Sequence, residues 1–476
     1  MLAYKTETQQ GKMLRISCSD SRELITSQYD DALAFLIQPT DKDMAVVFHI
    51  DAFVDDITSL MPKDLSKKVK DGGRVFTTDK RKLYYQPNRM FGVNHTNIYG
   101  LNRYSDDKID DCQELLSLAK KVVKAYETFG VKVNKLSSPI AVYSQNLDNL
   151  DYPRACDLPD SAFPMLEKCG DTMTREWRDV FTLGHFEAEE ISDYDVVACY
   201  PSIVAELPDI SNATFFESNT MPDNYFWGVM YGKLRIDKPV SPFICQEKNC
   251  YPIGEWYDTI TTDELWLLRK YEIGDFTMEQ GSFFLLPEVY GYPFKATMNK
   301  LYKQRSSRDE LVSKIAKGIS VGLIGKLAER YEERLGDNCN PIYSKMATSR
   351  AMVKVASFIY HNNIESSIVS VLVDGFLATK RLPIKNKKEM GSWKINDPPM
   401  PALVLSLEYQ WQGDKRPAYQ TYETMMGMIK DNPNKPNYDI VDINLIHYNR
   451  KFEKLPKTGR ELISDKYYST PYEINN

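Results

Sequence analysis

The chain has 476 residues, of which 42% are apolar and 12% aromatic. This length and composition exclude an intrinsically disordered protein and predict two or three folded domains. No apolar run approaches the roughly 18 residues of a membrane span, and the first residues lack the apolar core of a signal peptide. The sequence therefore predicts a cytoplasmic protein that has no membrane partner.

The eight cysteines and five histidines suggest neither a disulfide framework nor a zinc site. The cysteines are scattered without a CxxC pattern, the closest pair being Cys245 and Cys250. Metal-binding and disulfide-rich proteins show tighter, repeated spacings. We expect reduced cysteines that pack as small apolar side chains.

The formal net charge of -6 is unevenly distributed. Residues 146–195 contain thirteen Asp or Glu and four Lys or Arg, whereas residues 291–330 contain nine basic and three acidic residues. A phosphate-handling segment next to a cation site would have this pattern. A solvated, charged helix gives the same counts, so the counts alone leave both interpretations open.

The first part of the chain mixes strand and helix patterns. Strands are predicted in MAVVFHIDAF and KLYYQPNRMFGV, and a helix is predicted at ELLSLAKKVVKAYETF. The Pro- and Asp-rich stretch NLDNLDYPRACDLPDSAFP is typical of a domain boundary.

Further strands are predicted in DYDVVACYPSI, WGVMYGKLRI and SPFICQ, followed by a helix at TTDELWLLRKYE. Two helices, over FKATMNKLYKQR and within SRDELVSKIAKGISVGLIGKLAERYEE, are predicted to form a pair, the second beginning with a capping box of Ser307 and Glu310. A helix at SKMATSRAMVKVASFIYHNN then leads into SIVSVLVDGFLATK. That segment predicts a strand, a tight turn at Asp374-Gly375 and a second strand.

Two of these strands place an aspartate where an apolar run breaks. Asp195 stands at the head of VVACYPSI, and Asp374 follows IVSVLV. A buried carboxylate costs several kcal/mol unless it is compensated, and two carboxylates together are best compensated by a divalent cation. A salt bridge to Lys or Arg is the alternative for either aspartate.

The residues after Asp195 resemble motif A of family B DNA polymerases, which is Asp, two residues and Ser-Leu-Tyr-Pro-Ser-Ile. Asp195, Tyr200 and the Pro-Ser-Ile that follows match this motif, while Ala198 and Cys199 depart from it.

KGISVGLIGKL resembles motif B of the same family, Lys, three residues and Asn-Ser-Leu-Tyr-Gly-Lys. The matching residues are Lys317, Leu323, Gly325 and Lys326. The departures, at the Asn, Ser and Tyr positions, are Val321, Gly322 and Ile324.

VDGFLAT looks like a shortened motif C. Asp374 stands at the second, metal-binding aspartate of that motif, and Leu372 stands at the first. Asp193 is a substitute for the missing carboxylate or, alternatively, a solvated aspartate at a strand end. The resemblance covers about 180–400 of the chain, with the three motifs in the family's order.

The resemblance implies a multi-domain α+β fold, a right-hand polymerase with an N-terminal RNase H-like domain of the exonuclease type. The implied ranges are 1–175 for the exonuclease-like domain, 176–290 and 332–398 for the palm, 291–331 for the fingers helix pair, and 399–476 for the thumb.

The resemblance also implies a DNA-templated DNA polymerase that binds template-primer DNA and dNTPs. Asp195 and Asp374, with the backbone carbonyl of Val196, would hold two Mg2+ ions, or Mn2+ in their place. Tyr200 would lie under the sugar of the incoming nucleotide and exclude a 2'-hydroxyl. Packing against the palm is the alternative role of this tyrosine.

Further residues are implied to bind the substrates. Four basic residues would bracket the triphosphate: Lys303, Arg305, Lys314 and Lys317. Gly322 and Gly325 would let the template-primer DNA approach the helix backbone closely, and Lys326 would also bind DNA. The thumb would contact the primer strand through Lys415, Arg416 and Tyr419. Solvated charges and simple helix packing are the alternatives.

The exonuclease carboxylates of the family are incomplete in this chain. Asp51 stands in a predicted strand, but Phe53 occupies the position of a glutamate and Gly100 the position of an aspartate. Two-metal hydrolysis needs these carboxylates. We therefore expect a domain that keeps the exonuclease fold without 3'-5' proofreading.

Two other functions stay open on sequence grounds. One is a catalytically inactive DNA-binding replication component that kept the palm fold. The other is a related nucleotidyl transferase, either a reverse transcriptase or a primase-like enzyme. The divergent motifs also suggest a virus or mobile element, with a bacterial cytoplasm as the site of action if the source is a phage, and replication accessory proteins as possible partners.

Overall fold

The computed structural model describes residues 1–9, 13–36, 44–61, 63–70, 74–76, 82–86, 89–92, 97–105, 108–134, 136, 138–144, 152–172, 176–331, 334–406, 410–412, 422–431, 433–434 and 450–474. Its contacts divide the chain into two compact units. The first comprises Met1–Asp151 and Asn299–Leu323, and the second comprises Tyr152–Met298 and Ile324–Asn476. The division after residue 151 falls inside the Pro- and Asp-rich stretch.

The described part of the first unit contains an eight-stranded sheet. Its strands are β1 (Leu2–Gln9), β2 (Met13–Cys18), β3 (Glu23–Thr26), β4 (Met44–Val47), β5 (Arg74–Phe76), β6 (Lys82–Gln86), β7 (Arg89–Gly92) and β8 (Asn97–Gly100). The strand order is β3-β2-β1-β4-β8-β7-β6-β5. The pairs β1–β4 and β4–β8 are parallel, and the other pairs are antiparallel.

Helices of the first unit cover part of this sheet. They are α1 (Tyr29–Leu36), α2 (Ile50–Thr58), α3 (Lys63–Lys70), α4 (Cys112–Glu127) and α5 (Pro139–Tyr143). Leu33 of α1 and Val54 of α2 share a core with Ile16 of β2. The helix predicted over residues 114–129 is confirmed as α4, which Asp111 caps by accepting the N–H groups of the first turn.

The strand predicted to carry Asp51 ends before that residue. β4 ends at Val47, and α2 places Asp51 on its exposed side. α2 buries Ile50, Phe53, Val54 and Ile57, the spacing of one helical face. The prediction of a strand at Asp51 is therefore wrong, because the helical period of these apolar residues prevails over their strand-like composition.

Gly100 ends β8 beside the start of α2. A Cβ at Gly100 would lie 3.3 Å from the backbone nitrogen of Ile50. This close approach gives a packing reason for glycine at a position where the resemblance implied an aspartate.

The second unit begins with helices and strands on both sides of Asp195. Its strands up to residue 285 are β9 (Arg178–Val180), β10 (Thr182–Phe186), β11 (Ser192–Val196), β12 (Thr214–Ser218), β13 (Trp227–Ile236), β14 (Ile253–Thr261) and β15 (Gly274–Leu285). Its helices in this range are α6 (Phe163–Gly170), α7 (Cys199–Val204) and α8 (Thr262–Lys270). β13 and α8 confirm the predictions for WGVMYGKLRI and TTDELWLLRKYE. The strand predicted in SPFICQ is wrong, since only an isolated bridge joins Cys245 to Cys250.

The predicted helix pair is present as α9 (Lys295–Gln304) and α10 (Glu310–Leu327). The carboxylate of Asp309 accepts the N–H groups of Leu311 at 3.0 Å and Val312 at 3.2 Å. Ser307 instead accepts the N–H of Asp309 at 3.1 Å. The cap of α10 is therefore Asp309, and the prediction of Ser307 as the cap is wrong by two residues.

The rest of the second unit alternates short strands with helices. After a hairpin of β16 (Arg330–Tyr331) and β17 (Arg334–Leu335), the elements are α11 (Pro341–His361), β18 (Ile368–Leu372), β19 (Gly375–Ala378), β20 (Trp393–Ile395), β21 (Ala402–Val404), β22 (Gln410–Gln412), α12 (Tyr422–Asp431), β23 (Lys451–Phe452), α13 (Gly459–Ser464), β24 (Tyr467–Thr470) and β25 (Glu473–Ile474). The predicted helix before the motif C segment and the hairpin of that segment are confirmed as α11 and β18–β19.

Three five-stranded sheets occur among the described residues of the second unit. Their orders are β22-β21-β10-β24-β23, β12-β15-β13-β14-β25 and β20-β11-β19-β18-β9. The last sheet is antiparallel throughout and carries both candidate aspartates. Val355 and Ile359 of α11 share a core with Tyr194 of β11 and Phe376 of β19.

Within the ranges given above, no helix combines the length and the apolar character needed to cross a bilayer.

Candidate active site

Asp195 and Asp374 are brought together by the pairing of β11 with β19. Asp195 is the penultimate residue of β11 and stands opposite Gly375, which directly follows Asp374. The N–H of Val196 donates a hydrogen bond to the carbonyl oxygen of Asp374 at 3.1 Å. The backbone segments that carry the two carboxylates are therefore joined directly.

Asp195 lies at the end of its strand and not at the head of one. β11 stops at Val196, Ala198 adopts a left-handed conformation with φ 49°, and α7 begins at Cys199. The prediction of a strand running through VVACYPSI is wrong. The chain turns into a helix there, which brings Tyr200 into the first helical turn beyond the carboxylate.

Asp374 follows a strained turn. The N–H of Asp374 donates to the carbonyl of Leu372 at 2.8 Å, and Val373 between them has φ 60°. This is a γ-turn with a β-branched residue at positive φ, a conformation that costs about 1–3 kcal/mol and that clusters at functional sites. The N–H of Val373 donates to the carbonyl of Trp177 at 2.9 Å and holds the turn. The turn lies at Val373-Asp374, one residue before the predicted position.

The electrostatics of the pair show negative charge without full compensation. Burial and, to a smaller extent, the charges of Asp195 and Glu176 raise the pKa of Asp374 to about 6, against the opposing charge of Lys394. The ammonium of Lys394 lies 2.9 Å from Oδ2 of Asp195. One of the two carboxylates is thus ion-paired, and the other resists ionisation.

Tyr200 is held by a carboxylate that sequence reasoning missed. Its hydroxyl donates a hydrogen bond to Oε1 of Glu176 at 2.9 Å. Burial raises the pKa of Tyr200, and the charge of Glu176 adds to this effect, so the hydroxyl stays protonated. No motif in the sequence marks Glu176.

Lys394 was also missed. It lies on β20, which pairs with β11 so that Lys394 stands directly opposite Asp195. The only sequence signal is Trp-Lys-Ile at residues 393–395, a polar residue between two apolar ones as in a short strand.

Asp193 is buried and bound to an asparagine. Nδ2 of Asn396 donates to Oδ2 of Asp193 at 2.6 Å, and the backbone N–H of Asn396 donates to the carbonyl of Asp193. The interpretation of Asp193 as a solvated aspartate is wrong, because the residue is only 7% exposed.

The donor set of the site fits a cation that shares its ligands with a substrate. No group of three or more His, Cys, Asp or Glu side chains that could hold a metal ion occurs among the described residues. Mg2+ in nucleotide sites is typically bound by one or two carboxylates together with phosphates and water, not by an all-protein cage. Two adjacent carboxylates, one of them with a raised pKa, meet that requirement.

The predicted triphosphate ligands lie within Asn299–Leu323, the part of the helix pair that belongs to the first unit. These residues are Lys303, Arg305, Lys314 and Lys317. Lys314 forms an ion pair with Glu310 at 3.2 Å, whereas Lys317 is exposed. The hydroxyl of Ser313 donates to the carbonyl of Arg305 at 2.7 Å and connects the two helices.

The predicted DNA-binding residues differ in their surroundings. A Cβ on Gly322 would lie 2.6 Å from Cγ2 of Ile140, which gives a packing reason for glycine at this position. A Cβ on Gly325 would meet nothing within 4 Å. Lys326 forms an ion pair with Glu329. The predicted thumb residues, namely Lys415, Arg416 and Tyr419, lie outside the described residues.

Comparison with known proteins supports the fold. No protein-family model matches the sequence, and no curated protein matches it. Among solved structures, phi29 DNA polymerase complexed with primer-template DNA and incoming nucleotides is 11% identical, with a TM-score of 0.57 over 87% of this chain and 86% of that one.

Two further complexes of the same polymerase give similar values. The post-translocation complex with primer-template DNA is 13% identical, with a TM-score of 0.56 over 87% of both chains. The complex with single-stranded DNA is 11% identical, with a TM-score of 0.56 over 87% of this chain and 86% of that one. The chain therefore has the multi-domain α+β fold of phi29 DNA polymerase, a family B polymerase, as the sequence motifs indicated.

Proposed function

We propose that the protein is a DNA-templated DNA polymerase that extends a primer by two-metal nucleotidyl transfer from dNTPs. The observation that carries this proposal is the placement of Asp195 and Asp374 on paired strands, with the pKa of Asp374 raised by burial and by its neighbour. The fold is that of a polymerase solved with primer-template DNA and incoming nucleotides, which supports the same substrates here.

The chemistry asks the chain to position groups and to neutralise charge. Phosphoryl transfer involves little covalent chemistry by the protein. Bound Mg2+ would lower the pKa of the attacking hydroxyl and stabilise the leaving group. Asp195, Asp374 and the carbonyl of Val196 would hold the ions, and the strained turn before Asp374 fixes the direction of that carboxylate.

Substrate selection rests on Tyr200 and on the helix pair. The bond to Glu176 holds the ring of Tyr200 in one position. We infer that this ring lies under the sugar of a bound nucleotide and excludes a 2'-hydroxyl. The exposed cation Lys317, together with the basic residues near it on α9 and α10, would bind the triphosphate.

The parts of a right-hand polymerase are assigned on the same basis. We assign 176–290 and 332–398 to the palm, 291–331 to the fingers and 399–476 to the thumb, with an exonuclease-like domain over 1–175. The position of Asp51 on a helix supports a domain that does not proofread. Degradation of single-stranded DNA by the purified protein, abolished by Asp51→Ala, would contradict this assignment.

Primer extension with Mg2+ and dNTPs tests the main proposal. Asp195→Asn and Asp374→Asn should each reduce extension by at least about a hundredfold, the effect of removing one group that stabilises charge in a transition state. Asp223→Asn is the matched control, because Asp223 is an exposed aspartate of the same unit. Extension that survives both site substitutions would rule out the assigned centre.

A second candidate function is a DNA-binding component without catalysis. The ion pair between Lys394 and Asp195 favours it, as does Leu372 at the position of a family aspartate. Binding of primer-template DNA with no extension under any divalent cation would establish it. RNA templates and primer-free reactions in the same assay separate a DNA-templated polymerase from a reverse transcriptase or a primase-like enzyme.

A further inference from the structure

We propose that Lys394 is an internal counterion of Asp195, which a divalent cation must displace in order to bind. Lys394 thereby sets the cation affinity of the site. This inference rests on the proposed function in one respect, that the aspartate pair is the cation site.

The strand register places Lys394 directly opposite Asp195. β20 pairs with β11 in an antiparallel arrangement, and Lys394 is the direct partner of Asp195. Residues directly opposite each other on neighbouring strands project from the same face of the sheet. The ammonium accordingly reaches Oδ2 of Asp195 at 2.9 Å.

The backbone that carries Lys394 is fixed on both sides. The ring of Trp393 stacks on Phe358 with centroids 4.1 Å apart. Asn386 accepts the N–H of Ile395 and donates to its carbonyl, both at 2.8 Å. The Cα of Lys394 is therefore held, and movement is confined to its flexible four-carbon side chain.

The ion pair is open enough to be displaced. The side chain of Lys394 is 37% exposed and that of Asp195 is 34% exposed. A pair at this level of exposure contributes modestly to stability, and the released ammonium can be hydrated. A structural lysine would instead be buried with its partner, as Lys345 and Glu264 are at 1% and 5% exposure.

The charges determine the direction of the effect. When both are ionised, Asp195 and Asp374 together carry two negative charges, of which Lys394 neutralises one. A divalent cation that binds both carboxylates competes with the ammonium for Asp195 and is repelled by it. Removing the ammonium should therefore strengthen cation binding, even though the carboxylates themselves are unchanged.

The test measures cation binding without DNA or nucleotide. Mn2+ is titrated into the full chain, and free Mn2+ is followed by electron paramagnetic resonance. Lys394→Met should bind Mn2+ about threefold to fivefold more tightly than the unmodified protein, the range expected for a partly exposed pair. Lys394→Arg keeps the charge and should bind like the unmodified protein. Lys385→Met, which removes an exposed lysine preceding β20, is the control for net charge.

Two further results locate the effect. Asp195→Asn should weaken Mn2+ binding in the presence and in the absence of Lys394→Met, because the competition concerns that carboxylate. An unchanged or weaker affinity in Lys394→Met, in a protein whose thermal unfolding midpoint is preserved, overturns the proposal. A lower unfolding midpoint with unchanged affinity in Lys394→Gln also overturns it, since a purely structural lysine would give that result.

Primer extension on the same proteins separates this inference from the proposed function. Tighter Mn2+ binding by Lys394→Met in a chain that never extends a primer supports the counterion and contradicts the polymerase. Extension by the unmodified chain, together with equal Mn2+ binding in both proteins, contradicts the counterion alone.

Discussion

The hydroxyl of Tyr200 donates a hydrogen bond to Oε1 of Glu176 at 2.9 Å, and the other carboxylate oxygen of Glu176 pairs with Arg178 at 3.0 Å. Tyr200 is thus fixed by a group outside its own helix. Since its pKa is raised mainly by burial and then by Glu176, the hydroxyl remains a donor throughout the physiological pH range.

Truncation of Tyr200 should relax the choice of sugar. Tyr200→Val removes the ring and should lower the preference for dCTP over CTP by about tenfold to a hundredfold, the range for steric discrimination in a pocket. Tyr200→Phe keeps the ring and should retain most of the preference. The measurement is the ratio of kcat/KM for the two nucleotides in primer extension.

Glu176→Gln provides the matched control for Tyr200, because an amide oxygen still accepts the hydrogen bond of the phenol. We expect a ratio close to that of the unmodified chain. An unchanged ratio in Tyr200→Val would show that the tyrosine does not select the sugar and has only a packing role.

The two motif B glycines should respond to alanine in opposite ways. Gly322→Ala forces a Cβ to within 2.6 Å of Ile140 and should lower the free energy of unfolding by about 1–3 kcal/mol. Gly325→Ala enters open space in the last part of α10 and should raise it by up to about 1 kcal/mol.

Chemical denaturation measures both changes in the free energy of unfolding. The affinity for primer-template DNA distinguishes a DNA-binding role of the glycines from a packing role. If Gly325 allows DNA to approach, Gly325→Ala should weaken the affinity for primer-template DNA while the protein itself is stabilised. Unchanged affinity would assign both glycines to helix propensity and packing.

Local periodicity was sufficient for several elements. β13 and α8 follow their predicted segments, because alternating apolar residues and a Thr261–Glu264 capping box are strong local signals. The β18–β19 hairpin was predicted within one residue. The polymerase fold was indicated by the resemblance of three segments, in order, to the motifs of a known family, and not by these elements.

Other features depend on contacts that are distant in sequence. Glu176 and Lys394 reach the site through strand pairing and a tertiary hydrogen bond, which no local pattern encodes. The positive φ of Ala198 and Val373 contradicts the preference of these residues, so a strand was predicted where the chain turns into α7. Asp51 was misplaced for a related reason, since its apolar neighbours suit both a strand and a helix.

Acid should weaken the contact between β10 and α12 through His185. Nε2 of His185 lies 2.7 Å from the hydroxyl of Tyr422, and burial lowers the pKa of the imidazole, with Lys466 acting in the same direction and Glu187 against it. In the unfolded chain a histidine titrates near about 6.5. As the pH falls below that value, the unfolded state takes up a proton that the folded state resists, so stability is lost.

The urea midpoint measures this effect at several pH values. His185→Gln keeps a polar partner for Tyr422 and should flatten the decline of the midpoint between about pH 7 and pH 5. His361→Gln, at an exposed position near the end of α11, should leave the decline unchanged. A slope in His185→Gln equal to that of the unmodified chain would contradict the assignment.

A buried ion pair connects the C-terminal segment to the sheet of the candidate site. Nη1 of Arg450 lies 3.1 Å from Oδ2 of Asp179, and their side chains are 2% and 0% exposed. Asp179 stands opposite Val371 on β18, the strand that leads to Asp374. Burial raises the pKa of Asp179 to about 7, although Arg450 opposes that shift.

Removing the cation of this pair should be strongly destabilising. Arg450→Met leaves a buried carboxylate without its partner and should lower the free energy of unfolding by about 3–5 kcal/mol, whereas Arg154→Met, which breaks an exposed pair with Asp157, should lower it by less than about 1 kcal/mol. Adding Asp179→Asn to Arg450→Met should restore most of the loss.

The penalty of Arg450→Met should also depend on pH. Because the folded pKa of Asp179 is raised, the protonated acid is favoured in the folded state, and stability falls as the pH rises from about 4 towards the folded pKa. The penalty of Arg450→Met should therefore be smaller at about pH 5 than at about pH 8. Urea denaturation at both pH values measures the difference, and a penalty that is independent of pH would show that Asp179 stays ionised without Arg450.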